Sequence, residues 1–162
     1  MKKLLALLLA LASSLCLTGC WTASMTDSLP DVDTSPESTS DPWGITLSAE
    51  DVTAEGLTLV CTQHGGNPTG ELQTGTPFRL EVSMDDGWVS VPYTDLETEI
   101  AWTMQAFLIP KNDRMEWDID WSYLYGTLQP GTYRIGKTIT DFRGPGDYDD
   151  CSYYAVFTIS EA

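Results

Sequence analysis

The heptapeptide MEWDIDW at 115–121 decides the fold of this chain. Met115, Trp117, Ile119 and Trp121 alternate without a break with Glu116, Asp118 and Asp120. A period of two over seven residues puts large apolar side chains on one side of an extended backbone and carboxylates on the other, so the strand has one dry and one wet face. The pattern recurs in both directions. ITLSAEDVT (45–53) predicts a first strand, and GLTLVCTQ (56–63) alternates Leu57, Leu59 and Cys61 with Thr58, Val60 and Thr62. PFRLEVSMDDGWVSVPY (77–93) predicts a hairpin whose turn is Asp85-Asp86-Gly87, because an Asp-Gly pair between alternating runs matches the twist of paired strands. GTYRIGKTIT (131–140) and CSYYAVFTIS (151–160) alternate again. EIAWTMQAFLIP (99–110) has a spacing that also fits a short helix and is read as a strand, while WSYLYG (121–126) predicts a helical turn or loop beneath the core.

Seven to eight short antiparallel strands, divided by Gly, Pro, Asn and Asp turns and lacking a sustained helical period, predict an all-β sandwich. LQPGTYRIG (128–136) sharpens this expectation. Tyr133 follows a Pro-Gly turn at the start of the penultimate strand. That is where immunoglobulin-like (Ig-like) sandwiches keep a tyrosine corner, whose hydroxyl bonds back to upstream backbone. An ordinary strand tyrosine is the alternative.

The other end of the chain carries an address. Lys2 and Lys3 precede an uncharged apolar run from Leu4 to Leu17, too short to span a bilayer, which needs about 20 apolar residues. An ordinary secretory signal would close in an A-x-A-like site; here Leu17-Thr18-Gly19-Cys20 closes it. This resembles the lipobox of bacterial lipoproteins. The resemblance implies cleavage before Cys20, fatty acylation of its thiol and a signal peptide of residues 1–19. Two or three acyl chains, at about 0.8 kcal/mol per buried methylene, anchor a protein to the extracytoplasmic face of the cell membrane without a spanning helix.

Residues 20–42 follow as the lipidated Cys20 and an acidic Ser/Thr/Pro linker, WTASMTDSLPDVDTSPESTSDP, with no basic residue and no apolar period. Such a composition predicts a disordered tether with a mean reach of roughly 25 Å. The formal net charge is −16, and loss of Lys2 and Lys3 with the signal makes it more negative still. A chain this acidic lacks the basic patches that nucleic acid or anionic lipid requires. Residues 43–162 remain as one domain, long enough to bury a single core.

Within that domain, residues 43–82 (WGITLSAEDVTAEGLTLVCTQHGGNPTGELQTGTPFRLEV), GWVSVPY, IDWSYLYGTLQPGTYRIGKTITDFRGPGDYD and YYAVFTI together resemble the bacterial Ig-like domains of surface lipoproteins in Gram-positive gut bacteria. The resemblance implies a sandwich and a surface location. It brings no catalytic residues and no cofactor.

Few residues suggest chemistry. In antibody-type domains the inter-sheet bridge uses the residue two positions after the corner tyrosine, here Ile135, so that bridge is absent. Cys61 and Cys151 would lie at one end of an Ig topology, and a disulfide there would stabilise by about 2–4 kcal/mol. A bridge and two buried free thiols are equally open. His64, the single histidine, lies in QHGGNPTG without a G-x-S-x-G elbow and reads as a turn residue; one histidine excludes a His-rich zinc site. Asp85, Asp86, Asp147, Asp149 and Asp150 lack EF-hand spacing and read as solvated turn acids, so no metal is expected. A catalytic carboxylate pair would need an enclosed cleft. Trp117 and Trp121 read as core, and Trp88, beside a hairpin turn, as the tryptophan better placed for exposure.

The expectation is a non-enzymatic, membrane-tethered module with a structural or protein-binding role at the cell surface. Its binding loops would be 64–76, 110–114 and 141–150, offering His64, Asn67, Lys111, Asn112, Arg143, Asp147 and Tyr148. The tether would emerge at the same end, which complicates access. The alternatives are a carbohydrate-binding module for cell-wall or host glycans, using Trp88 and neighbouring tyrosines, and an Ig-like inhibitor of secreted proteases.

Overall fold

The computed structural model describes residues 32–33, 41–94 and 100–161. Two antiparallel sheets face each other, as the alternating strands require. The smaller has the order β2-β3-β8, from β2 (Ile45–Glu50), β3 (Gly56–Gln63) and β8 (Arg114–Asp120). The larger has the order β1-β6-β5-β9-β4-β7, with β10 on the other side of β9. Its strands are β1 (Val32–Asp33), β4 (Glu71–Thr74), β5 (Arg79–Met84), β6 (Gly87–Ser90), β7 (Phe107–Leu108), β9 (Gly131–Gly144) and β10 (Asp147–Ile159). A single helical turn, α1 (Ser122–Tyr125), follows β8 where the sequence predicts one.

The sandwich of antiparallel strands is as expected, with ten strands among the described residues rather than seven or eight. One strand is unforeseen: β4 and β5 lie end to end along the same edge of β9, Glu71–Thr74 pairing with 139–142 and Arg79–Val82 with 133–136. β4 falls inside 64–76, read from sequence as a loop. The 141–150 segment is likewise mostly strand, because β9 and β10 form one long hairpin around Pro145-Gly146. Proline presets φ at the second turn position and Gly146, at φ 79°, takes the left-handed third. Conversely, residues 100–106 have no regular structure, and among the described residues of 99–110 only Phe107–Leu108 pair, with Gln73 and Thr74. Val32–Asp33, inside the stretch read as a tether, pairs with Trp88–Val89. Apart from Asp41 and Pro42, the rest of that stretch and the signal region, Cys20 included, lie outside the described residues.

The core is the meeting of the inner rows. Leu57, Leu59 and Cys61 of β3 face Tyr133, Ile135 and Ile139 of β9, with Leu80, Ala155 and Phe157 beside them. Trp121, Phe157 and Tyr133 stack in a column with centroids 5.6 and 5.8 Å apart, and the Trp121 indole N–H donates to the Ala54 carbonyl at 3.1 Å. The Tyr133 hydroxyl donates to the Gln129 carbonyl at 2.9 Å, joining strand to preceding turn. In β8 the alternation of the heptapeptide is present, but Met115, Trp117 and Ile119 are only half-buried. As the edge strand of the smaller sheet, β8 is incompletely covered by the sheet opposite. Among the described residues no helix is long and apolar enough to cross a membrane.

Candidate functional site

Three polar residues stand where alternation calls for apolar ones. Gln63 ends the inner row of β3, and Lys137 and Asp141 occupy the inner row of β9; all three are buried. A polar group withdrawn from water must find partners, and Gln63 and Asp141 find theirs in loops at one end of the sandwich. The Gln63 amide donates to the carbonyls of Trp43 (3.0 Å) and Gly65 (2.7 Å), while its oxygen accepts the Asn112 N–H at 2.6 Å. One side chain thereby ties the incoming chain, the 64–70 loop and the 109–113 loop together.

Asp141 does the same from the opposite sheet. Its carboxylate accepts the N–H and hydroxyl of Thr69 and the N–H of Gly70. Burial pushes its pKa up, but these three donors and the nearby Arg143 guanidinium outweigh burial and hold it below the usual carboxylate range. Arg143 then binds Asp147 (2.8 Å), Asp149 (2.9 Å) and the Thr69 hydroxyl (2.9 Å), fastening the tip of the β9–β10 hairpin to the same loop. The incoming chain is sewn alongside: His64 N–H donates to Gly44 O and Asn67 N–H to Pro42 O. A Cβ on Gly66 would lie 2.2 Å from the Trp43 carbonyl carbon, so this backbone approach requires glycine.

Between the loops lies a cleft of about 380 Å³ lined by Gln63, Pro68, Leu72, Leu108, Ile109 and Lys111. Of the residues named from sequence, one lines it and others stand on the loops beside it. His64 and Asn67 are exposed on one loop; Lys111 lines the cleft, and Asn112 adjoins it through Gln63. Arg143 and Asp147 are joined in an ion pair at the hairpin tip. Tyr148 is exposed beside Phe142 in the ladder and does not line the cleft. The chain also arrives here, because Asp41–Gly44 run against the 64–67 loop.

Other groupings do not assemble. Cys61 and Cys151 are free thiols in opposite sheets. Cys61 is fully buried against the core, where burial pushes its thiol up to about 11 while Lys137 pulls it down and Asp41 raises it further. Its neighbours in register are Leu47 and Met115. Cys151 pairs with Ile139, so the hypothetical bridge at a shared loop end is replaced by two strand-interior positions. Cys61 faces the core and His64 the solvent, which leaves no thiol–imidazole dyad. Asp147 and Asp149 converge on Arg143, and Asp150 accepts from Thr140. Among the described residues no group of three or more metal-ligating side chains forms.

Trp88 differs from its expected exposure. It is half-buried on the outer face of the larger sheet, with the Arg134 guanidinium 4.8 Å from its ring and Tyr154 against Arg134 at 3.9 Å. Arg134 in turn pairs with buried Glu81. What the sequence reading missed were Gln63, Lys137 and Asp141. Their signal was present: each falls in phase with the apolar residues of its strand, as in Tyr133-Arg134-Ile135-Gly136-Lys137-Thr138-Ile139-Thr140-Asp141.

No curated protein and no solved structure matches the chain. The family model of the bacterial Ig-like domain matches residues 41–157, which span both sheets and all three loops of the clefted end. The chain therefore belongs to the bacterial Ig-like domain family.

Proposed function

We propose that this protein is a lipoprotein held at the extracytoplasmic face of the cell membrane by acyl chains on Cys20, whose single Ig-like domain is a non-catalytic, protein-binding module. The observation that carries the binding role is the loop end. Buried Gln63 and Asp141 hold three loops in fixed register around a cleft, with Asn67, Lys111 and Tyr148 exposed nearby. Loops positioned by a rigid scaffold are where binding residues concentrate. The LTGC closure of the signal region and the acidic linker after it support the anchored location. A basic partner surface would complement the acidic chain; nucleic acid would not.

Two experiments test the reading. Cys20→Ala should move the protein from the membrane to the soluble fraction, and retention in the membrane would refute the lipid anchor. Pull-down from cell-surface extract with the mature chain should recover one stoichiometric protein, lost with Lys111→Glu and Tyr148→Ala. Equal recovery by both variants, or no recovery, would refute the loop-end site and leave a spacer role. A glycan array run in parallel tests the carbohydrate alternative.

A further inference from the structure

Another cleft lies at the open edge where β8 meets the β4–β5 junction, on the other side of β7, whose Leu108 lines the loop-end cleft and whose Phe107 lines this one. It measures about 220 Å³ and is walled by Phe78, Phe107, Trp117 and Ile119, with Thr76 and Lys137 completing it. Two features of its lining are not explained by packing. Lys137 is 3% exposed, and its ammonium donates to the Gly75 carbonyl and lies 5.2 Å from the centre of the Trp117 ring. An ammonium has three N–H donors, and among the described residues no carboxylate pairs with it. The indole nitrogen of Trp117 is buried and has no acceptor. It is the one buried side-chain polar atom without a partner among the described residues.

Both unmet needs have the same sign. The cleft offers donors and a positive charge, bounded by aromatic and aliphatic surface, and its inward side chains supply no matching negative charge. A buried donor left without a partner is costly, and so is a buried charge without a counter-ion. A ligand that answers both needs must carry a carboxylate and an apolar body. Size narrows it further: a cavity of about 150 Å³ accepts a benzene ring, so this one accommodates a single ring or a short branched chain with its carboxylate. Asp118 and Asp120 stand at the rim, where they accept from Thr58 and from Ser122. Their negative charge disfavours polyanions such as phosphate esters and leaves a monoanion as the acceptable guest. Burial draws the pKa of Lys137 down to about 8, with the Cys61 thiol opposing the shift, so the group still carries its proton at neutral pH.

We propose that the cleft between β8 and the β4–β5 junction binds a small monocarboxylate with an aromatic or branched apolar body, its carboxylate received by Lys137 Nζ and the Trp117 indole N–H and its body lying against Phe78 and Phe107. The site is separate from the loop end and does not depend on the protein-binding role.

The test uses the whole mature chain with benzoate, phenylacetate and isovalerate as probes, and benzyl alcohol and inorganic phosphate as controls. Titration followed by the indole N–H resonances should show saturable one-to-one binding that shifts a single indole signal, the signal absent in Trp117→Phe. Benzyl alcohol and phosphate should bind at least about tenfold more weakly. Lys137→Met should weaken carboxylate binding by at least about tenfold without lowering Tm, since methionine fills the same volume without a charge. Three results would each overturn the proposal: no saturable binding of any of the three carboxylates, an indole shift that persists in Trp117→Phe, or undiminished affinity in Lys137→Met. If Lys137→Met proves unfolded, Trp117→Phe with the benzyl alcohol comparison decides the question alone.

Discussion

The carboxylate of Asp141 receives two hydrogen bonds from Thr69, one from its N–H at 2.7 Å and one from its hydroxyl at 2.9 Å, across 72 positions of sequence. A single buried acid thereby fixes the loop after β3 against the far end of β9. Asp141→Asn would replace one acceptor oxygen with a donor facing the N–H groups of Thr69 and Gly70. A loss of about 1–3 kcal/mol in urea unfolding at pH 7 is expected. The pH dependence has a defined sign. Because the folded pKa lies below the unfolded value of about 3.9, the wild type holds this stabilisation above that pH and loses it as pH falls further. The variant should lack that part of the acid-induced decline.

Glu81 and Arg134 form a pair that is almost wholly buried on the outer face of the larger sheet, under Trp88 and Tyr154. Removing one partner leaves the other charge in a site built for two. Glu81→Ala should cost about 3–5 kcal/mol. The double replacement Glu81→Leu, Arg134→Met should recover most of that loss in thermal unfolding.

Alkaline titration should expose two opposing slopes. Lys137 has a folded pKa of about 8 against an ordinary 10.5, so between these values the unfolded chain holds the extra proton and stability rises with pH. Cys61 behaves in reverse. Its thiol stays protonated to about 11 when folded and ionises near 9 when unfolded, so stability falls across that window. Lys137→Met should raise stability at pH 7 by about 1–3 kcal/mol. It should also remove the rising limb, leaving a monotonic decline above pH 9 in urea titrations at stepped pH.

The same burial makes a labelling prediction. A thiol-specific disulfide reagent at pH 8 should modify half-buried Cys151 in the native protein and spare Cys61 until denaturant is added. Equal rates would show that the core opens at β3.

Tyr133→Phe removes only the hydroxyl that donates to Gln129, while the ring keeps its stack on Phe157. The expected loss is about 1 kcal/mol, read from the urea midpoint with an unchanged slope.

Strand-level structure was legible wherever alternation was clean. GLTLVCTQ matches β3 in both bounds, and the Asp-Asp-Gly turn of the 77–93 hairpin lies where the strands reverse. The helical turn after Trp121 was also readable. Segment 99–110 was not, because its apolar residues suited either period; among its described residues only Phe107 and Leu108 pair. The end-to-end placing of β4 and β5 was hidden because nothing local states that both will share one edge of β9. At the loop end the exposed residues could be named from turn composition. The residues that hold them, Gln63 and Asp141, break the expected polarity of a core row. The cleft at Lys137 was hidden for the same reason, and also because β8 becomes an edge strand only once sheet order is known.

The β9–β10 hairpin runs from Gly131 opposite Ile159 to Gly144 opposite Asp147, a long ladder closed by a two-residue turn and broken once, by a shift of register between Asp147 and Tyr148. Its loop-closure entropy is small, whereas β3 and β8 must meet across 60 positions between Thr58 and Asp118. The hairpin is therefore the natural nucleus for folding. Tyr133 and Asp141 both belong to β9, so the fastenings for the preceding turn and for the Thr69 loop are already in place when the earlier strands dock. During synthesis these strands leave the ribosome after β2 and β3. The earlier strands β2 and β3 can pair with each other at once, but the sandwich closes only when the later strands supply the opposite sheet.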